Sequence, residues 1–298
     1  MIEAKVIADS ISPQGDRLTT FILTFPRIIL AEFNTHRMFS RNSASSRAIP
    51  FEKMVKSVQE NPFIPIAWQK DHKGMQGNEY VTSEEEIQRR IDIWLTSRDW
   101  AIKTAKYLYQ EDVTKQLCNR LLEPFMWHTV IMTSGKEGLE NFFDLRDHEA
   151  AEIHIQKLAR KMKEVYNEST PKKLQAGEWH IPFGDEWYSA SSSFNLKVST
   201  ARCARVSYTV VGEEGKEPNY ENDIKLHDRL LESGHFSPFE HCAKAMSDEE
   251  YYSYSRGRLL VDNKDGYYTI EGPSIDAEFG WCNNFKGFIP YRYLIDKK

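Results

Sequence analysis

The stretch from Phe33 to Pro50 reads F-N-T-H-R-M-F-S-R-N-S-A-S-S-R-A-I-P. It gathers one histidine, His36, three arginines, Arg37, Arg41 and Arg47, and six serine or asparagine side chains. Arginine offers a planar fork that matches phosphate or carboxylate, and closely spaced hydroxyls and amides supply short hydrogen bonds. The run is too polar for a core and follows directly on the apolar residues Phe21 to Phe33. It therefore begins where a core element ends, a place that suits a cradle for an anion or a cofactor. The plain alternative is a solvated loop.

Three other stretches carry chemistry. Arg202-Cys203-Ala204-Arg205-Val206-Ser207 and His235-Phe236-Ser237-Pro238-Phe239-Glu240-His241 lie in the last third of the chain, and Phe142-Phe143-Asp144-Leu145-Arg146 precedes Gln156. Arg146 can equally pair with Glu149 or Glu152 along a helix. Arg205 can be a solvated side chain at a strand end. His235 and His241 flank a carboxylate, but their spacing fits neither HExxH nor a zinc-finger pattern, so a metal site is not expected.

Together these stretches resemble the blocks of the flavin-dependent thymidylate synthases. The signature of that family is R-H-R, two residues, S, one residue, N-E, one residue, S, one residue, R. Here it stands as Thr35-His36-Arg37, Ser40, Asn42-Ser43, Ser45 and Arg47, with six of eight fixed positions kept. Ala204-Arg205-Val206-Ser207 is similar to the family's A-R-V-S, and His235–His241 to its H-x-[ST]-P-F-E-H. Arg120 stands four residues before Pro124, Asn141-Phe142-Phe143-Asp144-Leu145-Arg146 is similar to N-F-L-N-L-R, and Ile155-Gln156 to the end of the same helix motif. The A-R-V-S and P-F-E-H blocks follow the long-helix block instead of preceding the signature, which resembles a circular permutation. Permutation is tolerated where termini meet at the surface.

The resemblance implies an α+β fold, an antiparallel or mixed sheet packed with long helices, in a homotetramer with active sites between subunits. It implies FAD held without a Rossmann fingerprint, and the sequence has no GxGxxG. It further implies methylation of dUMP at C5, with methylenetetrahydrofolate and NADPH as co-substrates. Carried over residue by residue, His36, Arg37, Asn42, Asn141, Ser207, Ser237 and Glu240 fall on the flavin side. Ser45, Ser46, Arg47, Arg120 and Arg146 fall on the nucleotide side, with Arg146 and Ser45 as the catalytic candidates. Arg47 and Arg120 can neutralise a phosphate dianion. Arg146 can hold a pyrimidine carbonyl as charge develops on the ring. Thr35 and Ser43 replace a family arginine and glutamate, and a family histidine falls on Ala150, with His148 and His154 as stand-ins. These departures leave dCMP as acceptor, a hydroxymethyl product, or a non-catalytic nucleotide- or flavin-binding protein as alternatives.

The elements that must position these residues show in the periodicities. Residues 2 to 10 alternate as a strand, Ser12 to Asp16 turn, and Leu18 to Phe25 make a second strand paired antiparallel to the first. Pro26 opens a helical segment with Ile28, Ile29 and Phe33 inward. A short helix starts at Pro50–Phe51 and stops at Asn61-Pro62. Ser83 with Glu86 caps a helix over 84–109. Val113 to Thr133 reads as helical with a break at Glu123-Pro124, although 125–132 suits strand or buried helix. Leu139 to Asn167 reads as one helix, Asp223 to Ser233 as a short one closed by Gly234, and Cys242 to Ser255 and Tyr267 to Ile270 as strands. One domain over 1–298 is expected, with loop-rich insertions near 62–82 and 168–192 and a C-terminal extension near 262–298.

Composition narrows the classes. The 298 residues, 40% of them hydrophobic, suffice for a sizeable core. A net charge of -5 argues against a general nucleic-acid surface. Cys118, Cys203, Cys242 and Cys282 are scattered without a CxxC, which suits a reducing compartment. No basic-then-apolar leader opens the sequence, and no apolar run approaches 18 residues. A cytoplasmic protein without membrane partners is expected.

Overall fold

The computed structural model describes residues 1–74, 77, 79–184, 192–206, 219–258 and 273–295. Alternating side chains open the chain as β1 (Glu3–Ile11) and β2 (Arg17–Pro26), antiparallel from Glu3↔Thr24 to Ile11↔Arg17. Gly15 closes their turn at φ 93°, a conformation that costs glycine nothing. Past Pro26 a 3-10 turn (Arg27–Ile29) leads into α1 (Leu30–Phe33). The inward face expected here holds for Ile29 and Phe33, but Ile28 is 44% exposed because the segment winds tightly and soon ends. Then come β3 (Ser40–Ser43), α2 (Phe51–Glu60), α3 (Glu84–Gln110), α4 (Lys115–Cys118), a 3-10 segment (Asn119–Phe125), β4 (Trp127–Gly135), α5 (Lys136–Arg146) and α6 (Ile153–Glu168). The rest comprises β5 (Lys172–Lys173), β6 (Trp179–His180), α7 (Ser192–Arg205), α8 (Tyr220–Glu232), a 3-10 turn (Ser237–Glu240), β7 (Ala243–Ala245), α9 (Asp248–Ser253), β8 (Ser255–Arg258), β9 (Pro273–Phe279), β10 (Trp281–Cys282), β11 (Phe285–Lys286), β12 (Phe288–Pro290) and α10 (Tyr291–Ile295).

The fold is α+β. Its main sheet runs β3-β4-β2-β1-β5, antiparallel except for the β1–β5 pair. The period of two along β2 sorts its side chains onto two faces. Phe21, Leu23 and Phe25 meet Phe142, Phe143, Ile155, Leu158 and Met162 of α5 and α6 to form the largest core. Leu18 and Thr20 point the other way, toward the small sheet β12-β7-β6, where Leu18 packs with Ala243, Ala245, Phe285 and Phe288. On that face a chain of hydrogen bonds crosses the interior. Ser10 Oγ meets His180 Nδ1 at 2.8 Å, His180 Nε2 meets Thr20 Oγ1 at 2.8 Å, Thr20 Oγ1 meets Thr133 Oγ1 at 2.7 Å, and Thr133 Oγ1 meets His241 Nδ1 at 2.9 Å. These bonds tie the end of the His235–His241 block to the main sheet.

Several elements differ from expectation. The stretch 113–133 is helical only to Phe125. Beyond Pro124 the run Trp127–Gly135 is extended, because Thr129, Val130 and Ile131 are β-branched and the strand pairs with both β2 and β3. The helix expected over 139–167 is two helices. Asp147 N–H still donates to Phe143 O at 2.8 Å, but Glu152 then caps a new helix by accepting from the N–H groups of His154 and Ile155, at 2.9 and 3.2 Å. Cys242 to Ser255 is strand only at Ala243–Ala245 and at Ser255, the first residue of β8. Ser247 and Glu250 form a capping box and start α9 instead. Arg205 ends a helix, not a strand, and its Nε donates to Asp223 Oδ1 at 2.9 Å. The strand expected at Tyr267–Ile270 lies outside the described residues. Among the described residues no helix is long and apolar enough to cross a membrane.

Candidate active site

The turn between α1 and β3 brings His36 to the mouth of the core. Phe33, Phe39 and Phe142 are buried together, and the rings of Phe39 and Phe142 hold the imidazole. His36 stacks on Phe39 at 5.7 Å and meets Phe142 edge-on at 4.7 Å. Arg41 locks the turn from outside. Its Nε donates to Asn34 Oδ1 at 2.7 Å, and its terminal nitrogens donate to the carbonyls of Asn34, His36 and Phe39. Of the three arginines in the stretch, Arg41 is thus absorbed by the backbone. Gly138 lets α5 approach this turn, since a Cβ there would collide with Ser134 and sit 3.1 Å from Met38 Cβ.

Arg146 ends α5 and reaches this same turn. Its Nε donates to His36 Nε2 at 2.9 Å, one terminal nitrogen pairs with Glu32, and the other lies 3.4 Å from Thr35 Oγ1. The helix-face pairing with Glu149 or Glu152 is not what forms. The partners come from α1 and the turn after it, so the α5 break at Asp147 serves to turn Arg146 toward them. Because His36 Nε2 accepts, the ring must be neutral with its proton on Nδ1. Burial first, then the neighbouring Arg146 and Arg41, push its pKa down to about 4, which agrees.

Beside this cluster an open groove of about 600 Å³ is lined by Glu32, Asp144, Arg146, His148 and Glu152. Of the two histidines near Ala150, His148 lines it. His154 is buried, with Nε2 accepting from Ile66 N–H at 3.1 Å and Nδ1 donating to Glu152 at 2.5 Å. Glu32 was not singled out from the sequence. Its signal there is a lone carboxylate inside the apolar run before His36.

A second cluster joins the two ends of the chain. Asn42 Nδ2 donates to Cys203 O at 3.1 Å, and Ser237 Oγ donates to Asn42 Oδ1 at 3.3 Å. Glu240 is paired with Arg292. Arg37 is exposed, with no side-chain partner among the described residues, while its carbonyl accepts from Asn284 at 3.0 Å. Ser207 lies outside the described residues. Asn141 is exposed on α5. An exposed cation, an amide and a hydroxyl in and beside β3 suit the pyrophosphate and carbonyl oxygens of a dinucleotide flavin, and they need no glycine loop.

The third cluster holds Ser45, Ser46 and Arg47. Ser46 is buried, with its hydroxyl bonded to Glu123, which also pairs with Arg27 at 3.4 Å. Asn119 Nδ2 donates to the carbonyls of Ser46 and Ile49 at 2.7 and 2.9 Å, so the segment before α2 is fixed to the 3-10 turn that carries Arg120. Arg47 and Arg120 are both exposed, and Arg47 Nε lies 3.5 Å from Ser45 Oγ. Asn119 and Glu123 likewise escaped the sequence reading, being polar residues in a segment read only as helical. Among the described residues no hydrogen bond or ion pair joins this cluster to Arg146. Among the described residues no group of histidine, cysteine and carboxylate side chains is placed to hold a metal ion.

Residues 16–172 match the family described as thymidylate synthase complementing protein. The A-R-V-S and P-F-E-H blocks lie beyond that match, yet the fold sets Ser237 against Asn42. No curated protein matches the chain. Among solved structures, the UMP/dUMP methylase PolB from Streptomyces cacaoi bound with 5-Br UMP is 16% identical over 56% of this chain and 89% of that one, with a TM-score of 0.46. The same enzyme bound with 5-Br dUMP is 14% identical over 51% of this chain and 66% of that one, with a TM-score of 0.40. The match spans more than half of the 298 residues and takes in the signature turn, the Arg120–Pro124 segment and Arg146. The chain belongs to the thymidylate synthase complementing protein family, the flavin-dependent thymidylate synthases.

Proposed function

We propose that the protein transfers a one-carbon unit to C5 of a deoxypyrimidine monophosphate, with FAD as cofactor and methylenetetrahydrofolate and NADPH as co-substrates. dUMP is the acceptor that the family's chemistry implies. The observation that carries this reading is the setting of Arg146. The side chain is part-buried at a groove, ion-paired to Glu32, and bonded to a histidine whose own ring is held by two phenylalanines. A guanidinium so held is preorganised to meet charge that develops on a ring carbonyl. Bound FAD supplies the redox chemistry and would be held by Arg37, Asn42 and Ser237, with His36 behind them. Arg47 and Arg120 bind the phosphate, and Ser45 orients it. Purified protein is expected to release flavin on heating and to form 5-substituted nucleotide when given dUMP or dCMP with both co-substrates. Absence of bound flavin, together with no saturable FAD binding on titration, sinks this reading.

The active unit is a homotetramer. Among the described residues no hydrogen bond or ion pair joins Arg47 or Arg120 to Arg146, and a neighbouring copy would bring such a pair of cations to the groove. Ile93, Trp100 and Tyr107 recur every seven residues along α3, at 59%, 61% and 58% exposure. Such a stripe is a seam for another helix. Sedimentation should give a tetramer for the wild type and a smaller species for Trp100→Glu. A monomer with full activity would count against the assembly.

A further inference from the structure

The C-terminal helix α10 lies outside every block that carries the family resemblance, yet it reaches the turn that holds Ser237. We propose that Arg292 is a positioning residue of the flavin site. Through its ion pair it holds Glu240 and cancels the charge that this carboxylate would otherwise turn on the pyrophosphate of the cofactor. This rests on the functional reading above, which assigns the flavin to Arg37, Asn42 and Ser237.

Tyr291 anchors α10. Its N–H donates to Cys242 O at 2.8 Å, its hydroxyl meets His227 Nε2 at 3.3 Å, and its ring lies 5.7 Å from that of Phe239 and 5.9 Å from that of Trp179. The next residue, Arg292, is thereby set against the 3-10 turn Ser237–Glu240. Its guanidinium pairs with Glu240 and lies 5.7 Å from the ring centre of Phe236. The same turn meets the signature, where Ser237 Oγ donates to Asn42 Oδ1 at 3.3 Å. Glu240 is also near enough to Arg41 to oppose the burial that lowers the pKa of that arginine. Arg41, however, gives four hydrogen bonds to Asn34, His36 and Phe39, so Arg292 is the cation that takes the carboxylate. Glu240 follows Ser237 by three residues in one tight turn, so an anion held by the Ser237–Asn42 pair would meet its charge at short range. A pyrophosphate and an ionised carboxylate both only accept hydrogen bonds, so Glu240 cannot bind the phosphates itself. Pairing with Arg292 turns a repelling group into a neutral pair. The two side chains are 39% and 24% exposed, so the effect is modest and screened by salt.

The test is FAD titration of the full chain after removal of bound flavin, read by flavin fluorescence at low and at high salt, with a melting curve for each variant. Arg292→Gln can still donate to Glu240 but carries no charge. It should weaken FAD binding about fivefold at low salt, and the loss should shrink at high salt. Glu240→Gln should tighten binding by a similar factor, and the double variant should return close to wild type. Arg292→Lys, which keeps the charge, should bind like wild type. A clamp without an electrostatic role would give a different pattern, with Arg292→Gln near wild type and Glu240→Gln no tighter. Wild-type affinity in Arg292→Gln, or equal or weaker binding in Glu240→Gln, overturns the inference and leaves the flavin reading intact, since wild type still binds. Glu240→Gln decides the matter even where Arg292→Gln does not fold. Failure of wild type to bind FAD overturns the functional reading and this inference with it.

Discussion

Arg146→Ala is expected to lower turnover about a hundredfold while leaving the flavin content of the protein near that of the wild type. The guanidinium is placed to bind a ring carbonyl more strongly as negative charge accumulates on the pyrimidine, and loss of one such donor commonly costs about 3 kcal/mol at the transition state. Its contacts to Glu32 and His36 separate this role from a merely structural one. A surface ion pair contributes only a few tenths of a kcal/mol to roughly 1 kcal/mol, and its removal would shift melting without a matching loss of turnover. Arg146→Lys should not restore activity. A lysine ammonium is a compact charge without the fork that reaches Glu32, His36 and a ring edge together. The measurement is product formation with the preferred nucleotide, alongside flavin absorbance and a melting curve. Turnover like that of the wild type in Arg146→Ala defeats the role.

The architecture near the signature could be anticipated because its signals are local. β1, β2, α2 and α3 follow from alternation, from Pro50 and Asn61-Pro62, and from the Ser83 cap, whose side chain accepts from Glu86 N–H. The α5–α6 break was not anticipated, since Asp147 to Glu152 holds no glycine or proline, and the apolar stripe continues in phase from Phe143 to Ile153 and beyond. What breaks the helix is tertiary. Asp147 takes Arg160 and Lys163 as partners, Gln156 donates to the His148 carbonyl, and Glu152 caps the next helix. The short strand β7 was overextended in the sequence reading for the opposite reason, because alternation from Cys242 to Ser255 outweighed a capping signature at Ser247 and Glu250.

The site shows the same division. The family resemblance named Arg146, His36 and Asn42, but neither it nor spacing could name their partners. The contacts Arg146–Glu32 and Ser237–Asn42 span 114 and 195 residues. Those partners change the chemistry assigned to each side chain. Arg41, equal to Arg37 and Arg47 by composition, is consumed by carbonyls of its own turn. Ser46, equal to Ser45, is buried against Glu123. What looked like a uniform polar cradle is thus a rigid half built by Arg41, Ser46 and Asn119, and an available half formed by Arg37, Ser45 and Arg47.

Acidification is expected to unfold the protein well above the carboxylate range. His128, His180 and His241 are buried, and burial is the first cause of their depressed pKa values, about 3, 4 and 3 against 6.5. Arg27 adds to the effect at His128, and His180 adds to it at His241. At His180 Asp9 works weakly in the opposite direction. A depressed histidine pKa means that the unfolded chain binds protons which the native state refuses. The stability is therefore fully present above pH 6.5 and is lost as pH falls from 6.5 toward 4 and 3. At pH 5 each group costs about 2 kcal/mol, and the three together about 6 kcal/mol, comparable to the whole stability of many domains. The carboxylate of Asp147, whose pKa is lowered by hydrogen bonding to Arg160 and Lys163, acts in a separate window, since its contribution is lost only as pH falls below its ordinary 3.8. The hydrogen-bonded chain from Ser10 to His241 explains why the native state resists protonation. Each imidazole nitrogen of His180 already faces a hydroxyl that can donate or accept, and a second ring proton would force both hydroxyls to accept. Urea unfolding at pH 7.5, 6.0 and 5.0 measures the loss directly. His180→Gln should lower stability at pH 7.5 yet flatten its dependence on pH between 6.5 and 4. Equal midpoints at pH 7.5 and 5.0 in the wild type would remove the basis for the neutral buried histidines.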